Sequence, residues 1–300
     1  MSSDVASQFL VQIISTKDII RSKNLKSKLV DFGLKFQISP GLVPDEADFH
    51  AGLLHSTFLS SLICQRSLSI GEIGCALAHK NALNDLLISD YKFGFIFEDD
   101  AEIISEFKLE EIVKLLNSNL PTIIMLGWIP GHAIAKNLHV PLNEEMIELI
   151  TSPTCGFAYA INRPAAKVII GTNKKIIDLA DWPIYTLNRI HYFAPQSPWV
   201  TANQDPQFSI IGQRSTSLPK SRVTVFLGRI RLVGSLVTLM LLSKTKKLDV
   251  SLRQIVHRLL IRDMLYKYGK SQVKIDAKDN RAIPLSPKFQ KLLKIINLYE

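Results

Sequence analysis

FGFIFEDDAEI, residues 93–103, sets five mostly apolar residues, Phe93 to Phe97, directly against Glu98, Asp99 and Asp100, with Glu102 close behind. A continuous apolar run of this length reads as a strand buried on both faces, as in the centre of a parallel sheet. In open α/β sheets, ligands bind beyond the carboxyl ends of the strands. The acids therefore stand on the expected functional edge. Crowded like charges repel unless a cation offsets them. Carboxylates with no adjacent His or Cys favour a hard, oxygen-loving ion, Mg²⁺ or Mn²⁺. The bland alternative is a solvated turn or a helix start, where acids suit the dipole.

The surrounding segments supply the rest of an α/β pattern. FLVQIIS (9–15) is a strand candidate, KDIIRSKNLKSKLVDFG (17–33) has helical spacing and stops at Gly33, and LKFQIS (34–39) is a second strand. GEIGCALAHKNALNDLLISD (71–90) and LEEIVKLLNSN (109–119) read as helices, while TIIMLGW (122–128) and CGFAYAI (155–161) read as strands. The last breaks at Asn162-Arg163-Pro164, where a helix, PAAKVII (164–170), begins with proline in its first turn. WPIYTLNRI (182–190) is a short helix candidate; 40–69 reads as loop with some helix, and 129–150 as variable loop. Alternating strands and helices imply an α/β fold with a mostly parallel central sheet flanked by helices.

The 300 residues divide by charge. Residues 1–217 hold 18 Lys and Arg against 22 Asp and Glu, a balance of −4, whereas residues 218–300 hold 18 against 5, a balance of +13. We expect a first domain over 1–217 and a basic, amphipathic helical region over 218–300. In the latter, the uncharged run from Leu232 to Ser243 is too short to span a bilayer, which takes about 20 apolar residues. SLRQIVHRLLIRDMLYKYGK (251–270) alternates an apolar face with arginines. Such a segment suits an anionic membrane surface. Nucleic acid is not the expected partner: the tail's aromatics are few (Phe226, Tyr266, Tyr268, Phe289, Tyr299) and no recognition motif is present. The three cysteines, Cys64, Cys75 and Cys155, are far apart and lack metal-type spacing, and the N-terminus has no basic leader. Together these imply a reduced cytoplasmic setting.

Three further stretches bear on chemistry. In GEIGC, Gly71 and Gly74 stand at a helix start, where backbone N–H groups can meet a phosphate. His79 follows Cys75 by one helical turn, and on spacing alone it reads as structural. Small residues at Cys155–Gly156 would admit a ligand or a neighbouring backbone. In ADWPIY, Asp181 is either a helix N-cap or a base, and Trp182 either core or an aromatic platform.

The order GEIGCALAH, FIFEDDAEI, TIIMLGW, TCGFAYAINRPAAKVI and DWPIY resembles glycosyltransferase family 25, and the resemblance extends over about residues 8–205. It implies a GT-A fold and inverting transfer of galactose or glucose, galactose ahead of glucose, from a UDP-sugar to a glycan acceptor. Asp99 and Asp100 match the family's metal-binding acidic motif, with Glu98 beside them. Gly71, Gly74 and His79 match its glycine-helix motif, although Ala78 replaces a frequent serine. Asp181 matches an aspartate that often follows the CGFAYAI-like stretch, and is the expected base, with Glu102 second. Ser15 and Arg21 stand where nucleotide contacts are implied, in place of an arginine-rich turn. His191 is the nearest later histidine that could complete a metal shell. The implied acceptor, an oligosaccharide or lipid-linked glycan, agrees with a peripheral enzyme on the inner face of the cytoplasmic membrane. The rival classes are a catalytically inactive relative serving as a scaffold, and a nucleotidyltransferase, which needs a basic phosphate-gripping loop that is not seen.

We predict that the full-length protein floats with anionic liposomes and that a 1–220 truncation does not. Equal flotation of the two would remove the membrane role of the tail.

Overall fold

A computed structural model describes residues 3–15, 22–42, 68–129, 133–136, 145–150, 152, 155–172, 174–176, 179–180, 182, 189–203 and 287. Arg21, Asp181, nearly all of the 40–69 segment's centre and, apart from Pro287, the basic region 218–300 lie outside the described residues. The elements are α1 (Ser3–Ala6), β1 (Phe9–Ser15), α2 (Lys23–Asp31), β2 (Phe36–Pro40), α3 (Ile70–Ile88), β3 (Phe93–Glu98), β4 (Ala101–Ile103), α4 (Leu109–Leu116), β5 (Thr122–Met125), β6 (Met146–Leu149), β7 (Ala158–Asn162), α5 (Arg163–Thr172), β8 (His191–Pro195) and β9 (Val200–Ala202).

Among the described residues the main sheet has seven strands in the order β2-β1-β3-β7-β5-β8-β6. β1, β2, β3, β5 and β8 run one way; β6 and β7 run against them. The sheet is thus mostly parallel, as expected, with β7 wedged antiparallel between β3 and β5. β4 and β9 form a separate antiparallel pair. Among the described residues no helix is long and apolar enough to cross a membrane.

Strand alternation sorts the side chains into two cores. Leu10 and Ile14 of β1, Ile96 of β3 and Tyr159 of β7 pack with Ala78, Ala82, Leu83 and Leu86 of α3 and Ala165, Ala166 and Ile169 of α5. On the other face, Phe9, Val11, Ile13, Phe93, Phe95 and Phe97 pack with Leu25 and Leu29 of α2 and Leu109, Ile112 and Leu116 of α4. The continuous apolar reading of FGFIF follows from this: β3 is covered on both sides. Small residues at Ala78, Ala82, Ala165 and Ala166 let α3 and α5 lie close to the sheet and to each other.

Polar groups fix the element ends. Gly33 takes φ +68° after α2, where its N–H reaches Val30 O at 2.8 Å and Leu34 N–H reaches Leu29 O at 2.9 Å. This pair of bonds closes the helix in the left-handed conformation that glycine tolerates best. Buried Asn162 accepts from Thr122 N and Ala165 N, both at 3.0 Å, and donates to Leu116 O, Ser118 O and Leu120 O. It therefore caps α5 and ties the loop before β5. Arg163 donates to Leu86 O, Leu87 O, Ser89 O and Tyr91 O at 2.7–3.1 Å. The guanidinium satisfies the orphan carbonyls at the end of α3 and complements its dipole. The break read at Asn162-Arg163-Pro164 is a junction of three elements.

Some expectations change. CGFAYAI contributes a strand only from Ala158, and that strand is antiparallel. Residues 146–149, read as variable loop, form edge strand β6 against β8. The helix expected over 182–190 lies largely outside the described residues, and its ends are not helical: Trp182 has φ 48° and Arg189–Ile190 form a turn and bend. Trp182 is 3 % exposed and packs edge-on against Tyr159 and Tyr192, so it is core and not an open platform.

Gly127 follows β5 where a Cβ would meet the Phe157 ring and sit 2.5 Å from Val200 O. Gly171, in α5, has nothing within 4 Å of a built Cβ. Gly127→Ala is expected to cost about 1–3 kcal/mol by overpacking, and Gly171→Ala to add up to about 1 kcal/mol by helix propensity. Urea midpoints of the two variants check this; equal shifts would contradict the close approach at Gly127.

Candidate functional site

The carboxyl ends of β1, β3, β5 and β8 share one edge of the sheet, because these strands are parallel. Pairing of Ile14 with Glu98 sets Ser15 beside the residue after Glu98. Ser15 Oγ donates to Asp99 Oδ2 at 2.7 Å, and Asp99 is buried. Glu98 takes the other direction. Its Oε1 lies 3.2 Å from His79 Nε2 and 4.0 Å from Cys75 Sγ, toward α3. Consecutive carboxylates therefore take different partners, Glu98 in the last position of β3 toward α3 and Asp99 in the following turn toward Ser15, which relieves part of the repulsion that their sequence suggests.

The Glu98 side has a defined arrangement. Cys75 and His79 are one turn apart on α3 and so project from one face. His79 Nδ1 lies 3.1 Å from the Tyr159 hydroxyl, and the two rings stack at 5.8 Å. Burial, then the charges of Glu98 and Cys75, push the Tyr159 phenol up, so it stays protonated. Cys75 Sγ, His79 and the Glu98 carboxylate offer ligand atoms that all lie within 4.8 Å of one another. His79, Tyr159 and Trp182 also line a small cavity with Ala76 and Lys80. The Lys80 ammonium is lowered by partial burial and donates to Lys174 O at 2.9 Å.

The start of α3 is capped from within. Ser69 Oγ accepts from Glu72 N at 3.3 Å while Glu72 Oε2 accepts from Ser69 N at 2.9 Å, a reciprocal capping box. Gly71 lies in the first turn, where helix N–H groups lack internal partners. Gly74 lies one turn further in, beyond those groups, and is buried. Of the two glycines, Gly71 is the one whose N–H falls among the first-turn groups.

Gly156 precedes Phe157, whose carbonyl accepts the Glu98 N–H at 2.8 Å, so Gly156 stands at the same edge. Asn203 joins the acids from the β9 side: its N–H donates to Asp100 O at 2.8 Å and its side-chain amide to Glu102 Oε1 at 3.2 Å. Glu102 itself lies in β4, outside the main sheet. His191 does not approach the cluster. It begins β8, level with Thr122 at the opposite edge, and its Nδ1 lies 3.2 Å from Glu148. As a completing ligand for an ion at Asp99 or Asp100 it is excluded by the length of the sheet. Arg21 and Asp181, as noted, lie outside the described residues.

The sequence shows Cys75 and His79 at ligand-compatible spacing, yet treating the cysteines as an isolated set hides their partnership with Glu98. Tyr159 gives no sequence signal of its own, since in CGFAYAI it reads as a strand residue.

The model of glycosyltransferase family 25, described as an LPS biosynthesis protein, matches residues 9–184, more than half of the chain. The chain belongs to glycosyltransferase family 25. As a family 25 member it is a glycosyltransferase of lipopolysaccharide biosynthesis, a class that uses a sugar donor and a glycan acceptor. The matched span of this family 25 enzyme contains Ser15, the capped start of α3, the His79–Glu98 pair and Asp99. No curated protein matches the chain. Among solved structures it is similar to one titled "Crystal Structure of A197 from STIV", at 14% identity over 66% of this chain and 94% of that chain, with a TM-score of 0.37. A likeness of that size carries no argument about mechanism.

Proposed function

We propose that this family 25 enzyme is a metal-dependent, inverting hexosyltransferase of the GT-A type, moving galactose in preference to glucose from a UDP-sugar to a hydroxyl of a glycan acceptor. The acceptor belongs to lipopolysaccharide, lipooligosaccharide or capsule assembly, and the basic tail holds the enzyme at the inner membrane face. The observation that supports the reading best is the placing of Asp99, oriented by Ser15, at the carboxyl edge of β3 within the family-matched span.

The donor set there fits the ion. Asp99 and Asp100 offer oxygen alone, the donor type that a hard divalent ion takes, and Ser15 holds one Asp99 oxygen in place. Mg²⁺ or Mn²⁺ held by Asp99 and Asp100 would offset the charge that grows on the departing diphosphate. Ser15 fixes the Asp99 carboxylate, so its geometry is set before donor arrives. Gly71 N–H, in the first turn of α3, is available to the donor, and Gly156 leaves room for it. Arg21 adds positive charge for the nucleotide. Asp181 accepts the proton of the attacking hydroxyl as general base, with Glu102 as the second choice. Inversion follows when that hydroxyl attacks C1 in line with the leaving UDP.

A donor screen that detects released UDP, with Mn²⁺ and a truncated lipopolysaccharide acceptor, tests this. We expect UDP-galactose to be turned over fastest. Asp100→Asn should lower turnover by at least about 100-fold, and Asp181→Asn should lower kcat while donor binding is kept. Full transfer by Asp100→Asn, still stimulated by Mn²⁺, would sink the metal assignment.

A further inference from the structure

We propose that Cys75, His79 and Glu98 form a second metal site, selective for a borderline-soft divalent cation, with Zn²⁺ the best match. The site is distinct from the oxygen-only Asp99 and Asp100 pair. Strand alternation turns Glu98 toward α3, whereas Asp99 turns to Ser15.

The chemistry of the donors comes first. Thiolate, imidazole and carboxylate are the ligand types that zinc takes together, and magnesium does not use sulfur. Geometry comes next. From ordinary zinc–ligand lengths, ligand atoms around a tetrahedral ion stand roughly 3.4–3.6 Å apart. Here His79 Nε2 and Glu98 Oε1 are 3.2 Å apart, Cys75 Sγ and Glu98 Oε1 are 4.0 Å apart, and the three atoms lie within 4.8 Å of one another. Closing the shell asks for a small inward turn about the single side-chain torsion of Cys75, whose sulfur stands 4.0 Å from Glu98 Oε1.

The surroundings suit a ligand histidine. His79 Nδ1 faces the Tyr159 hydroxyl at 3.1 Å. With Nδ1–H donating to that oxygen, the tautomer is fixed and the Nε2 lone pair is aimed at Glu98 and Cys75. Metal-bound histidines are oriented by such an outer partner. The His79 side chain is 7% exposed and that of Glu98 25%, so the site is walled on the protein side and open to solvent on the other. Three protein ligands leave one position for water. The local backbone supports the arrangement independently of any ion: the capping box and the Arg163 contacts fix both ends of α3, and Glu98 N–H is held by Phe157 O.

The ordinary alternative is a hydrogen-bonded row, thiol to carboxylate to imidazole to phenol, with no affinity for metal. Chelator-stripped full-length protein separates the two. Zn²⁺ is titrated against a chromophoric competitor, and Co²⁺ is added to a parallel sample for absorption spectroscopy. The expected result is one equivalent of tightly held Zn²⁺, and a Co²⁺ spectrum with intense tetrahedral bands and a thiolate-to-cobalt charge-transfer band. Cys75→Ser should abolish that band, while Cys64→Ser and Cys155→Ser keep it. Tyr159→Phe should weaken Zn²⁺ binding by about 10- to 100-fold, and Asp99→Asn should leave it unchanged, since Asp99 serves the other site. Circular dichroism confirms that each variant is folded. Wild-type protein that binds no more Zn²⁺ than Cys75→Ser, or a cobalt spectrum without the charge-transfer band, would overturn the proposal, whatever the transferase assay shows.

Discussion

β3 is held between a parallel neighbour, β1, and an antiparallel one, β7, and it is covered on both faces. That double burial dictates its apolar sequence, and its register with β1 sets Ser15 beside Asp99. Its alternation then sends Glu98 to α3. Most of what the enzyme can do at this edge depends on the strand ending where it does. A one-residue slip would exchange the two faces and carry Glu98 away from His79.

The strongest supports of that placement are remote from the acids. Asn162 and Arg163 sit at the far end of β7, yet they join the loop before β5, the start of α5 and the end of α3. α3 carries Cys75 and His79, so the polar junction at one edge of the sheet positions side chains near the other. Polar groups withdrawn from water, fully at Asn162 and partly at Arg163, are costly when partnerless and specific when satisfied. Asn162 uses both ends of its amide, and Arg163 reaches four carbonyls. The close passage of Phe157 and Val200 past Gly127 adds a steric constraint on the same sheet.

Much of this was legible in residues alone, for physical reasons. FGFIF and the IIM of TIIM carry no polar side chain because both faces are buried, and that pattern needs no tertiary knowledge. Gly33 marks a helix end because few other residues take its φ. Strand direction was not legible in CGFAYAI, since an apolar run has no polarity and only the sheet shows β7 running backwards. Short edge strands such as β6 escaped because MIEL is only four residues long, too short for its in-and-out alternation to register as a pattern. In the site, the acid cluster was evident from charge density, but its division between two sides was not. That division depends on where the strand ends and on Ser15, which is 84 positions away. Cys75 and His79 share a helix face by spacing, whereas their meeting with Glu98 is a tertiary fact. His191 looked available by position and proves to stand at the opposite edge.

The central claim is that the carboxyl edge of β3, at Asp99, seats the ion and the diphosphate of the donor. Anomalous diffraction from crystals of the full-length enzyme grown with Mn²⁺ and UDP-galactose measures this directly. The account predicts a manganese peak beside the Asp99 carboxylate, with the diphosphate next to it on the same edge. A manganese peak elsewhere, or a donor bound at the opposite edge near His191 and Glu148, would contradict it.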